Sequence, residues 1–135
     1  MSAYVMLYVA TVPVFFLIDL VWLGLVARGF YRDQMGSLMA DPISWPAGIL
    51  FYLLWVAGLI LFAVAPALED REWTRALLFG AAFGFITYAT YDLTNLATLR
   101  DWPLALTVVD MAWGTILGAV VATASYLLGR NALGM

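Results

Sequence analysis

Three aspartates, Asp19, Asp92 and Asp110, interrupt stretches of the chain that are otherwise apolar. They are the residues best placed to do chemistry. The sequence holds no histidine and no cysteine, which removes the commonest proton shuttle and the imidazole and thiolate metal ligands. Acid–base work therefore falls to carboxyl groups, with tyrosine, asparagine and threonine as hydrogen-bond partners. The block "YATYDLTNLATLRDW", residues 88–102, concentrates these types, placing Tyr88, Tyr91, Asp92 and Asn95 close together along one helix. An aspartate at the centre of a membrane helix costs about 2.5–3.5 kcal/mol on insertion scales, so three of them burden a fold by roughly 8–10 kcal/mol unless shallow, networked or protonated.

The spacing of the three suggests a common purpose. Asp19 lies eight residues before Ala27, Asp92 eight before Arg100, and Asp110 seven after Pro103. At the rise of an α-helix, all three fall about 10–12 Å below one membrane face. Helix phase agrees: Gly80 and Gly84 lie on a four-residue stripe that leads to Tyr88 and Asp92, and Gly114 and Gly118 lie on one that leads back to Asp110. Small residues at this spacing let helix backbones approach closely, which would turn Asp92 and Asp110 toward each other. Two carboxylates a few ångströms apart in a low-dielectric bundle cannot both ionise, and a pair sharing a proton suits general acid–base work or proton carriage.

The expected site thus has Asp19, Asp92 and Asp110 as its acid–base residues. Tyr88, Tyr91 and Asn95 would supply hydrogen bonds. Trp22 and Trp113, each three residues after an acid in "DLVW" and "DMAW", would join Phe16 as apolar walls. Arg28, Arg32 and Arg100, at the rim, would meet a phosphate or carboxylate head. No metal and no cofactor is expected. The competing reading is that these polar groups only glue helices together, at about 0.6 kcal/mol per contact on average.

The elements that must carry this site follow from composition. Hydrophobic residues make up 65% of the 135 and charged residues 11%, far from a soluble mixture. Four apolar runs, about 3–27, 46–66, 76–98 and 104–128, each approach the ~20 residues that cross a bilayer. The fold class expected is an all-α membrane protein, a four-transmembrane-helix antiparallel bundle forming a single integral membrane domain over 1–135. The first run is too long and lacks the basic flank of a secretory signal, so it reads as an anchor. Pro13 should kink it. The second run, without charge, should close the bundle and face lipid. Between the first two runs, Phe30, Tyr31, Met35, Leu38 and Met39 recur at helical spacing, predicting a short amphipathic segment in the membrane interface. Trp45, Trp73 and Trp102 fall near helix ends, as an aromatic belt requires.

All six basic residues are scattered arginines, so no stripe exists to hold nucleic acid. Arg28 and Arg32 follow the first helix and none precedes it, which puts the first and third loops in the cytoplasm by the positive-inside tendency.

The blocks "DLVWLG" at 19–24, "FY" at 30–31, "YATYDLTNLATLRDWP" at 88–103 and "DMAWG" at 110–114 resemble a family of small bacterial membrane proteins catalogued as domain of unknown function 2177. The resemblance covers nearly the whole chain and implies a four-helix protein of the bacterial inner membrane, with no established activity to carry over. Three functions are compatible with the residues. The first is a site binding or transforming a lipid-like or isoprenoid amphiphile, with membrane lipids as partners. The second is a proton-coupled small transporter acting as a homodimer. The third is an accessory subunit of a larger membrane complex.

Overall fold

The computed structural model describes residues 2–135, and they form helices and turns with no strand among them. Four helices are long and apolar enough to cross a membrane: Ala3–Val26, Trp45–Asp70, Trp73–Thr98 and Leu104–Ala132. They are the first to fourth spans below. Successive spans run antiparallel; the second and third connections are short, whereas the first, residues 27–44, is long. Their outward faces carry large apolar side chains, such as Leu17 at 68% and Leu104 at 66% exposure, as a lipid-facing surface requires. The chain is a multi-pass membrane protein.

The second and third spans overrun their apolar cores. The second continues through Leu68, Glu69 and Asp70, and the third starts at Trp73, so that Arg71, in the left-handed region at φ 57°, and Glu72 make the whole turn. Pro13 does not break the first span, which is α-helical from Ala3 to Val21. The departure comes later, in a π-helical turn at Trp22–Val26 where the Ala27 N–H reaches the Trp22 carbonyl. Such turns often sit at functional positions. Here it redirects the chain into the short helix Arg28–Met35, the amphipathic segment expected between the first two spans, which ends at Gly36.

The third and fourth spans make the closest contact in the bundle. A Cβ built on Gly84 would overlap the carbonyl oxygen of Gly114, and one on Gly118 would overlap that of Gly80. Only glycine permits backbones this near, which bears out the two glycine stripes read from the sequence. Single hydrogen bonds also join the spans. The Tyr8 hydroxyl donates to the Leu53 carbonyl at 2.9 Å, Trp55 Nε1–H donates to Thr87 Oγ1 at 2.9 Å, and the Thr11 and Ser125 hydroxyls pair at 2.8 Å.

One face of the second span, with Leu50, Leu54, Leu61 and Phe62, is exposed as expected, and the other places Trp55, Val56, Leu59, Ile60, Ala63, Val64, Ala67 and Leu68 in the core. Because the third and fourth spans are drawn together by glycine, their junction leaves a groove that a large apolar face must fill, and the uncharged helix fills it. Trp45 and Trp73 are exposed at helix starts, but Trp102 is buried. It donates to Thr107 Oγ1 at 3.1 Å and meets the Tyr91 ring edge-on, so it belongs to the packing rather than to an interfacial belt.

Replacing Gly84 by alanine should force the third and fourth spans apart, at the ~1–3 kcal/mol typical of overpacking. Thermal unfolding in detergent would show a lower midpoint than for Gly24→Ala, whose Cβ meets nothing within 4 Å. Equal midpoints would mean that the backbones are not in contact there.

Candidate functional site

At the end of the bundle that carries the first and third loops lies a cavity of about 340 Å³. It is lined by every span and by the connecting helix: Asp19 and Leu23, Tyr31, Gly48 with Phe51 and Tyr52, Thr87 with Tyr88 and Tyr91, and Asp110 with Trp113. The cavity exists because the second and third spans diverge. They pack through Ile60–Val64 and Ala65–Asp70, are still linked at Trp55–Thr87, and part beyond that bond. Of the lining residues, Phe51 at 46% and Tyr91 at 52% are exposed. One stands on each side of the gap, about 9–10 Å from the respective helix end by helical rise. These two exposed rings, one on each span, mark an edge of the cavity between the second and third spans, short of the helix ends.

Two tryptophans organise the polar wall. The rings of Trp22 and Trp113 stack with centroids 4.4 Å apart and planes 9° apart. Trp113 Nε1–H donates to Asp19 Oδ1 at 3.0 Å, and Trp22 Nε1–H donates to the Tyr31 hydroxyl at 3.2 Å, which in turn donates to Asp110 Oδ1 at 2.7 Å. The two Asp-x-x-Trp blocks are thus crossed, each tryptophan serving the acid of the other block. A helix sets residues i and i+3 on neighbouring positions of one face, so two antiparallel copies bring both indoles between both acids.

Asp92 is fully buried beside Asp110, behind the cavity wall. Neither of its oxygens has a hydrogen-bond partner among the described residues, and neither does Asp19 Oδ2. An unsatisfied buried acceptor costs about 1–3 kcal/mol and more when charged.

The expected site residues divide accordingly. Asp19, Asp110, Tyr88, Tyr91 and Trp113 line one cavity. Asp92 adjoins it through Asp110 without lining it, because the glycine contact holds its helix face against the fourth span. Trp22 does not wall the cavity; its ring lies behind Trp113 and orients Tyr31. Asn95 is half-buried one turn past Tyr91 and does not line this cavity. Arg28, Arg32 and Arg100 are exposed and none reaches the cavity, since extended charged side chains at helix ends turn toward water. The ion pair among the described residues is Arg75 with Asp70, at the far end. Phe16 packs on Phe15 and Tyr52 in the core.

Tyr31 and Tyr52 were missed from the sequence. Tyr31 read only as part of an apolar face, yet it stood in the "FY" block. Tyr52 lies seven residues after Trp45, so the depth calculation applied to the acids would have placed it at their level. Gly114 is a further hidden determinant, because a Cβ there would overlap the Tyr88 ring that lines the cavity.

A family model described as "Predicted membrane protein (DUF2177)" matches residues 4–127. The chain belongs to the DUF2177 family. No curated protein and no solved structure matches it. The match to the DUF2177 model takes in most of each of the four spans and every residue lining the cavity.

Burial raises the Tyr31 hydroxyl pKa above its ordinary value near 10, and the adjacent Asp110 charge raises it further. The folded state therefore holds this proton more tightly than the unfolded chain. Its contribution to stability is complete below about pH 10 and is lost as pH rises beyond it. Tyr31→Phe should flatten that alkaline decline in a thermal-melt series across pH 8–11, and an unchanged slope would show that Tyr31 is not held in the site. Trp113→Phe keeps the aromatic stack but orphans Asp19 Oδ1, and should lower stability by about 1–3 kcal/mol, read by the same melts at pH 7.

Proposed function

We propose that the chain binds an amphiphile inside the membrane, with its polar head in the carboxyl-lined cavity and its apolar chain leaving through the gap between the second and third spans. The observation that carries this reading is the cavity edge between the second and third spans, marked by the exposed Phe51 and Tyr91. A volume of about 340 Å³ falls within the range of roughly 300–1,000 Å³ usual for small-molecule sites. Such a cavity takes a head group and the first few carbons of a tail, while the rest of the tail remains in lipid. Lipid-like and isoprenoid molecules have this form.

The other half of the bundle supports binding over passage across the membrane. Leu7, Leu59, Val64, Leu117 and Val121 are all fully buried there, and the Thr11–Ser125 pair satisfies its own hydroxyls. Transport sites favour the midplane, where both sides can reach them, whereas this cavity opens near one end. The carboxyl groups of Asp19 and Asp110 in the cavity wall are the candidates for acid–base work there. Arg28 and Arg32 beside the cavity end favour a cytoplasmic placement of the first and third loops, and the family resemblance favours the bacterial inner membrane.

Gly48 provides the test. It lines the cavity, and a Cβ there meets nothing within 4 Å, so Gly48→Phe should obstruct the cavity and leave the helix contacts intact. Native mass spectrometry of protein extracted in mild detergent should show a bound amphiphile on the wild type and its loss from Gly48→Phe. The same adduct on both would overturn the reading.

A further inference from the structure

The composition of the cavity wall also says which head group fits, an inference that rests on the amphiphile reading above. Two of the lining residues are aspartates and none is basic. Arg28, Arg32 and Arg100 are exposed outside the cavity. At the far end Arg75 pairs with Asp70, and Arg130 donates to the Met135 carbonyl. An anionic head would therefore add negative charge beside Asp19 and Asp110 in a low-dielectric site with no guanidinium to meet it, an arrangement that opposes binding. This reverses the expectation that rim arginines would hold a phosphate or carboxylate.

Two further features favour positive charge. Asp19 is 2% exposed and lines the cavity, and its Oδ2 is left without a partner while Oδ1 accepts from Trp113. The Tyr52 hydroxyl lies beside this carboxyl group on the same wall without closing a hydrogen bond to it, so Oδ2 can still meet what enters. Aromatic rings supply most of the remaining wall, from Tyr31, Phe51, Tyr52, Tyr88, Tyr91 and Trp113. Ring faces attract cations, most strongly where water is excluded.

We infer that the cavity takes the head of an organic cation, a protonated amine or quaternary ammonium on an apolar chain, held by Asp19 and Asp110 inside an aromatic enclosure.

The full chain in dodecyl maltoside should be titrated with dodecyltrimethylammonium and with dodecyl phosphate, whose identical tails leave only the heads to differ, following tryptophan fluorescence. The cation should saturate at least tenfold tighter than the phosphate. Asp19→Asn, nearly isosteric, should weaken the cation at least tenfold, whereas Asp33→Asn, the same charge change at an exposed position of the connecting helix, should leave it unaltered. Gly48→Phe should abolish saturation. Monodisperse elution and an unchanged melt qualify each variant, and Asp110→Asn replaces Asp19→Asn if the latter fails them.

Equal binding of both heads, blocked by Gly48→Phe, overturns the cation assignment and leaves the amphiphile reading standing. Cation binding that Asp19→Asn and Asp33→Asn weaken alike reduces the effect to net charge and likewise overturns it. If neither probe saturates while the native adduct is still lost in Gly48→Phe, the cation assignment falls alone. If neither probe saturates and no adduct is found, both readings fall together.

Discussion

Buried carboxylates without a basic partner are the constraint around which this bundle is arranged. Asp19, Asp92 and Asp110 sit inside a membrane domain whose arginines all lie elsewhere, so neutral donors must hold what charge they carry. The crossed pairs meet that need: Trp113 serves Asp19, and Trp22 serves Asp110 through Tyr31. Each donor is fixed by the indole stack, whose near-parallel planes keep both N–H groups aimed. The connecting helix is part of this arrangement rather than a simple linker, because it carries Tyr31 into the site.

Two kinds of joint then divide the bundle along its length. Glycine contacts clamp the third and fourth spans, and this close approach sets Asp92 against Asp110. The second span fills the groove at one half with a continuous apolar face and then leaves the third span beyond Trp55–Thr87. The cavity is the result of that divergence. A bundle packed equally tightly throughout would have no room for a ligand, and one splayed throughout would not hold the acids in register.

The asymmetry bears on function. One half is closed, with large apolar side chains buried and Thr11 paired with Ser125; the other is polar and aromatic and holds the cavity. Binding from the bilayer follows more readily from this shape than passage through it, and an aromatic, acid-lined wall favours a positively charged head over the phosphate that exposed arginines first suggest.

Much of the fold was legible in the sequence. Helix number, the common depth of the three acids and the glycine stripes all depend on local periodicity, and a helix converts residue spacing into height and direction at a fixed rate. The amphipathic segment was visible for the same reason. What spacing cannot reveal is which long side chains reach across between elements. Tyr31 could have faced lipid, Trp22 could have lined the cavity, and Arg28, Arg32 and Arg100 could have folded inward; helical periodicity allows each alternative. The π-helical turn at Trp22–Val26 decided the first of these by swinging the connecting helix back over the fourth span. The divergence of the second and third spans is likewise a property of how four helices share one core, since each uncharged turn of the second span is equally suited to lipid or to packing. The sequence by itself determined where the acids stand along their helices; only the tertiary structure decided what surrounds them, because that depends on contacts between spans that local pattern does not encode.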